Sequence, residues 1–327
     1  MSEMLNRNRR RWGIIYSPKI GAARPMKRWK EIREYLAEKR VEYDFFNAVR
    51  SNEIEQQAQR YAAAGYDTIV VIGGDGALQD AINGVIASGK SDDVSLGIIP
   101  NGIANDFAEY WGLAYSDYRA AVDFIIARRV RKVDLGCCRY ANDGREVKRY
   151  FVNVLNIGLS ANIVGFANKK NTIFAKIVYK VRGLMFLLFR RQNFHMRFRL
   201  NSQLVDKKFM MLCVGNSTGY GMTPSAVPYN GWIDVSAVPY NGWIDVSAIK
   251  MPPFMGVFKG LQMVSRRKIL NFRLVEPFRT TEMEIESVGG ASLGIDGRPF
   301  APTFPLLVTV EPEKLNLIIP TKINKKL

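Results

Sequence analysis

Five residues, Thr68-Ile69-Val70-Val71-Ile72, run directly into Gly73-Gly74-Asp75-Gly76 and then into a helix-patterned stretch over residues 77–88. An apolar, β-branched run without polar alternation is what a central strand buried on both faces requires. Parallel neighbours of such a strand need crossover connections, and the flanking sequence supplies them. Residues 13–16, 43–47, 96–99 and 130–135 read as further strands, and residues 25–40, 53–64 and 117–128 as helices, with Pro25 suited to a first helical turn. Alternation of this kind predicts an α/β domain with a doubly wound parallel sheet over residues 1–135.

After Gly136 the periodicity changes to two. Residues 148–156, 194–200, 208–214, 269–275, 283–287 and 306–310 alternate in polarity, while helical signal is concentrated in 171–191 and about 254–264. A β-rich, sandwich-like second domain is expected over residues 136–314. A last strand at 315–320, with the tail to 327, is expected to return to the first domain. The single histidine, His195, sits among alternating apolar residues and reads as the polar face of a strand. An identical 11-residue unit, residues 225–235, is repeated as residues 236–246. That unit is too short for a solenoid, and two copies cannot fill one structural slot, so one is expected to loop out.

Composition narrows the chemistry. With 47% apolar and 24% charged residues, the chain is globular rather than disordered. Its longest apolar run, residues 183–189, falls far short of a membrane span, and the basic N-terminus is followed by too short an apolar stretch for a signal peptide. A cytoplasmic protein without a transmembrane segment is expected. The three cysteines, Cys137, Cys138 and Cys213, form neither a zinc spacing nor a disulfide framework, which fits a reducing compartment. With one histidine available, a general base is expected to be a carboxylate.

The glycine loop at residues 73–76 lets backbone approach a ligand closely or adopt positive φ, and amides at the following helix N-terminus make an anion site. Asp75 would repel a bare phosphate, which argues for a metal or a hydroxyl beside it. A second cluster, Pro100-Asn101-Gly102-Ile103-Ala104-Asn105-Asp106-Phe107, again lies after a strand and before a helix. Open α/β sheets bind ligands beyond the carboxyl ends of their strands, and both clusters lie there on sequential strands. No Walker sequence and no protein-kinase signature occurs.

These two clusters, followed in order by Val133-Asp134-Leu135-Gly136, Phe151-Val152-Asn153 and Asp296-Gly297, resemble the diacylglycerol kinase catalytic-domain family, and within it the soluble bacterial lipid kinases. The resemblance extends over residues 13–320. It implies an ATP- and Mg²⁺-dependent kinase acting on a lipid hydroxyl, with diacylglycerol the first substrate expected. Gly73, Gly74, Asp75, Gly76, Asn101, Gly102 and Asn105 would hold the nucleotide, and Asn47 would take a position often held by threonine. Asp75, Asp106 and Asp134 resemble the family's aspartate network around Mg²⁺, giving Asp75 a part in catalysis as well as binding. Asp296 matches the first residue of an Asp-Gly-Glu motif, where a carboxylate deprotonates the lipid hydroxyl.

The sequence departs from that pattern at Ala77 and Ile103, which replace hydroxyl-bearing residues, and at Arg298, which stands where the glutamate is expected. Arg298 would instead contact the γ-phosphate. A catalytically weak nucleotide- or lipid-binding relative, and an NAD kinase, remain the alternatives. The formal net charge of +17 fits attraction to an anionic membrane leaflet, with residues 173–189 as a candidate interfacial helix. Nucleic acid is not an expected partner, because no recognised module accompanies the charge. A homodimer stays open.

Overall fold

A computed structural model describes residues 11–18, 26–102, 105–113, 116–159, 161, 192–216, 219–220, 223–224, 241–265 and 272–320. The candidate interfacial helix, Ile103 and the first copy of the repeat lie outside these residues. The chain divides into two compact units, one of residues 1–133 and 313–327, the other of residues 134–312.

The first unit alternates strand and helix: β1 (Trp12–Tyr16), α1 (Lys27–Glu38), β2 (Tyr43–Asn47), α2 (Ser51–Ala63), β3 (Thr68–Gly73), α3 (Asp75–Ala87), β4 (Ser95–Pro100), α4 (Asp106–Tyr110) and α5 (Tyr118–Ala127). The strands pair in parallel in the order β2-β1-β3-β4. Every residue of β3 and β4 is buried, as their unbroken apolar sequences require. The C-terminal strand also joins this unit, with Asn316 and Leu317 pairing in parallel with Ser95 and Leu96. Each βα turn leaves the carboxyl end of its strand, so residues 73–75 and 100–102 emerge on the same edge of the sheet.

The chain leaves this unit along β5 (Val130–Asn142), which runs well beyond the end expected at residue 135. The second unit then contains β6 (Arg145–Phe151), β7 (Val154–Gly158), β8 (Phe194–Leu200), β9 (Gln203–Phe209), β10 (Met211–Gly215), the two-residue strands β11 (Gly219–Tyr220) and β12 (Thr223–Pro224), β13 (Ile244–Ile249), α6 (Phe254–Ser265), β14 (Val275–Thr280), β15 (Glu282–Ser287), β16 (Leu293–Ile295), β17 (Arg298–Phe300) and β18 (Leu306–Ile318). One sheet is antiparallel in the order β14-β13-β10-β7-β16-β17. Facing it, β18 pairs with β15, β15 with β8 and β8 with β9. Side chains from both layers, including Leu155, Leu212 and Val246 from the first and Phe198, Met283 and Leu306 from the second, form one buried core. In β8 the residues Met196, Phe198 and Leu200 point inward while His195 is exposed beside Asp206, as the alternation predicts.

Four expected strands are redrawn. Residues 148–156 form two strands rather than one, because the chain breaks at Val152-Asn153, where a buried carboxylate takes up the backbone amides. Of the strand expected at 269–275, residues 269–271 lie outside the described residues and 272–274 form a turn; the strand runs over Val275–Thr280, where Pro277 and two charged residues hide the alternation. Residues 306–310 and 315–320 are not separate strands: β18 bridges them through Glu313, which adopts φ +49°.

The last three residues of the second copy, 244–246, open β13. Its Asp245 is buried and receives two hydrogen bonds from Arg279, at 2.8 and 3.1 Å. Burial raises the Asp245 pKa above the ordinary carboxylate value, and Arg279 partly offsets this. Replacing Arg279 with leucine leaves this carboxylate buried and unpaired, a change that costs about 3–5 kcal/mol. Because the native state then holds the proton of Asp245 more tightly than the unfolded chain does, the deficit grows as pH rises above the ordinary carboxylate range and shrinks in acid. Urea unfolding of Arg279→Leu at two pH values measures both effects.

Candidate functional site

In the first unit the glycine loop and the residue 100–107 loop touch. The Asn101 N–H donates to the Gly73 carbonyl at 2.8 Å, extending the β3–β4 ladder by one bond beyond the strands. The Asn101 side chain, buried, donates to the Ser17 carbonyl at the end of β1. A Cβ on Gly102 would lie 2.5 Å from the Gly74 Cα, and one on Gly74 would lie 2.9 Å from the Gly102 Cα. Glycine is required here by backbone contact, not by dihedral angle. Gly74 adopts φ −105°, and none of the glycines at 73, 74, 76 or 102 has positive φ, which corrects half of the rationale drawn from sequence.

Asp75 explains how the two loops are fixed. Its Oδ2 accepts the Asp106 N–H at 3.0 Å and its Oδ1 accepts the Phe107 N–H at 2.9 Å. The carboxylate that would oppose an anion at the N-terminus of α3 thus faces the exposed amides that open α4. The sequence argument for a metal or hydroxyl beside Asp75 omitted this third answer. Asn105 completes the loop: its Oδ1 accepts the Gly102 N–H at 2.7 Å, its amide donates to the Gly102 carbonyl, and its backbone adopts φ +56°. This is the Asx-type local bonding that lets asparagine occupy the left-handed region. Gly74 caps α3 without a side-chain hydrogen bond, so its helix N-terminus is built from backbone alone. Asn47 ends β2, paired with Tyr16, and its side chain is exposed.

The second unit carries a buried polar cluster. Asp296 and Gly297 form the two-residue turn between β16 and β17, with φ values of +42° and +80°, the conformation favoured by Asp-Gly hairpins. Asp296 is buried, and its carboxylate accepts the N–H groups of Val152 at 2.8 Å, Asn153 at 3.0 Å and Val154 at 2.8 Å. Its own N–H donates to the Val154 carbonyl. Asn216 links this group to Asp134: its N–H donates to the Asn153 carbonyl, and its side-chain amide reaches the carbonyls of Asp134 and Val152. The Asp134 carboxylate accepts the Gly242 N–H at 2.8 Å. Arg298 opens β17, half-buried. Asn153 and Asn216 are the members that sequence reasoning missed as individual residues. Asn153 stood in the quoted Phe151-Val152-Asn153 motif, and the signal for Asn216 was an asparagine at the end of an apolar run.

Among the described residues no group of three or more His, Cys, Asp or Glu side chains is arranged to hold a metal ion. Both oxygens of Asp75, and one of Asp134, face backbone N–H groups. Asp75 and Asp106 belong to the first unit, Asp134 to the second.

Residues 11–138 match the diacylglycerol kinase catalytic domain, and residues 153–319 match the YegS C-terminal NAD kinase beta sandwich-like domain. The chain therefore belongs to the family that joins a diacylglycerol kinase catalytic domain to a YegS-type C-terminal domain. It is similar to the diacylglycerol kinase of Staphylococcus saprophyticus (28% identical over 180 residues, 55% of each chain). It is likewise similar to that of Staphylococcus carnosus (25% identical over 221 residues, 67% of this chain and 68% of the other). For most of these relatives the matched part spans little more than half of their length, as in the 54% matched in the Bacillus subtilis diacylglycerol kinase. A crystal structure of a diacylglycerol kinase from Bacillus anthracis shares the fold, with a TM-score of 0.67 over 96% of this chain and 98% of that one at 18% identity.

Asp296→Asn is expected to destabilise the second unit by about 2 kcal/mol, because an amide nitrogen would face a backbone N–H that the carboxylate now accepts. Urea unfolding followed by near-ultraviolet dichroism measures it. A midpoint unchanged from the parent chain would show that the bond lost at that oxygen contributes nothing.

Proposed function

We propose that this chain is an ATP-dependent lipid kinase that transfers the γ-phosphate to a lipid hydroxyl, with diacylglycerol as substrate and phosphatidic acid as product. The observation that carries the reading is the contact between Gly74 and Gly102, locked by the Asp75 carboxylate on the second loop. It presents two stretches of bare backbone and the N-terminus of α3 at the carboxyl edge of a parallel sheet, where phosphates are stabilised by amides and helix dipole. Gly73, Gly74, Gly76, Asn101, Gly102 and Asn105 are assigned to the nucleotide, with Asn47 at the same edge.

Phosphoryl transfer needs positioning and charge neutralisation more than covalent chemistry, so a weak carboxylate base is sufficient. We assign that role to Asp296. Three backbone amides donate to the Asp296 carboxylate and fix its orientation. Arg298, two residues on, adds positive charge suited to the γ-phosphate. Mg²⁺ is read as a companion of the ATP phosphates rather than as an ion of a preformed carboxylate cage. Among the described residues no helix is long and apolar enough to cross a membrane, and the reading places the protein peripherally on the cytoplasmic face.

The test is transfer from γ-labelled ATP to detergent-dispersed diacylglycerol. Label in phosphatidic acid supports the reading. ATP binding with no labelled lipid would favour a non-catalytic relative, and label on NAD alone would favour an NAD kinase. Gly102→Ala is expected to raise the KM for ATP by at least about tenfold, since its methyl drives the two loops apart. Arg298→Glu separates two roles: increased turnover would mark Arg298 as a substitute for a missing base, and decreased turnover as a phosphate contact.

A further inference from the structure

Three large apolar side chains crowd the first turns of α6: Phe254, Met255 and Phe258 are 51%, 76% and 49% exposed. Phe254 and Phe258 touch edge to face, with ring centroids 6.2 Å apart. The remaining exposed large apolar residues, such as Val49, Leu204 and Phe304, are scattered through the sequence. These three lie within five positions on a helix whose other face is already packed. Val257 is buried, Gly260 lies against Phe272, and Met263 packs on the cluster of Leu159, Met210, Ile249, Phe272 and Val275. Among the described residues the helix therefore has an inner apolar face that is packed and an outer one that stays exposed.

Charge along this stretch of the sequence indicates what the outer face fits. Residues 250–275 carry six basic residues, Lys250, Lys259, Arg266, Arg267, Lys268 and Arg273, and no acidic one. Lys250 pairs with Glu276 at 2.5 Å, and Lys259 is exposed beside Phe258 on α6. A second copy of the chain would bring two such basic segments together, which opposes a symmetric interface. An anionic bilayer provides both the apolar interior and the negative surface. We propose that the Phe254, Met255 and Phe258 face of α6 inserts into an anionic phospholipid surface. Its purpose rests on the lipid-kinase reading, but the docking is measurable without any turnover.

The native cysteines make a clean probe possible. Cys137, Cys138 and Cys213 are all buried, and burial pushes the Cys137 thiol up to about 11, so a cysteine placed at position 255 takes up a label selectively. Full-length Met255→Cys carrying an environment-sensitive fluorophore is titrated with phosphatidylcholine vesicles with and without phosphatidylglycerol. A blue shift with the anionic vesicles, reversed by salt, is expected. In co-sedimentation, the double variant Phe254→Ser, Phe258→Ser should bind those vesicles at least about tenfold more weakly while still phosphorylating dispersed diacylglycerol. An unshifted probe, or undiminished vesicle binding by the double variant, overturns the proposal. So does a shift that grows with protein concentration without vesicles, which would assign the face to a second copy. If the parent chain binds vesicles through α6 yet labels no lipid, the docking stands and the kinase reading falls.

Discussion

Two hydrogen bonds from the backbone of Asp106 and Phe107 to the carboxylate of Asp75 hold the first unit's candidate site in shape. Without them the glycine loop and the following loop would each be an ordinary strand-to-helix turn. With them, an acidic side chain at the first position of α3 has its charge satisfied by the opening amides of another helix. The remaining contacts follow from that placement. Gly102 is brought against Gly74, Asn101 adds one more bond to the ladder, and Asn105 closes its loop in the left-handed conformation. Each of these is a backbone arrangement with no room for a larger residue or no tolerance of a different one.

The second unit solves a similar problem with another aspartate. Asp296 sits at a tight hairpin turn and gathers three successive amides from the break between β6 and β7. Those amides cannot join either sheet, because the chain is passing from one layer of the sandwich to the other. A charged acceptor stabilises them more strongly than a neutral one would.

Sequence periodicity made most of this architecture legible. The fully apolar β3 and β4 announced a parallel sheet, and the change of period after Gly136 announced the β-rich unit. What periodicity could not reveal was where backbone bonding overrides it. Residues 148–156 alternate as one strand, yet a carboxylate some 140 residues away in sequence breaks them in two. Pro277 and its charged neighbours concealed β14, whose inner face is set by pairing with β13 rather than by its own pattern. At the candidate site the residue types were readable and their reasons were not. Gly74 and Gly102 looked like conformational glycines and are contact glycines, a distinction that exists only when the two loops are placed together.

The tandem repeat shows the same limit from the opposite side. Its copies are identical, so composition and pattern alone cannot say which of them forms β13. The choice is decided one step beyond the copied residues. After the second copy, Lys250 donates its N–H to the Leu274 carbonyl at 2.9 Å and sets its ammonium against Glu276. Eleven residues earlier, the equivalent position is Pro239, which has no N–H to donate and no charge to offer. Placing the first copy in the strand would leave the Leu274 carbonyl without this donor, leave Glu276 without one of its two lysines, and replace Ile249 by Val238. Asp245 and Arg279 would be matched equally well by Asp234 and Arg279, so the buried ion pair confers no selectivity between the copies. The register of β13 is therefore set at its end, by one amide and one charge that the duplication did not reproduce.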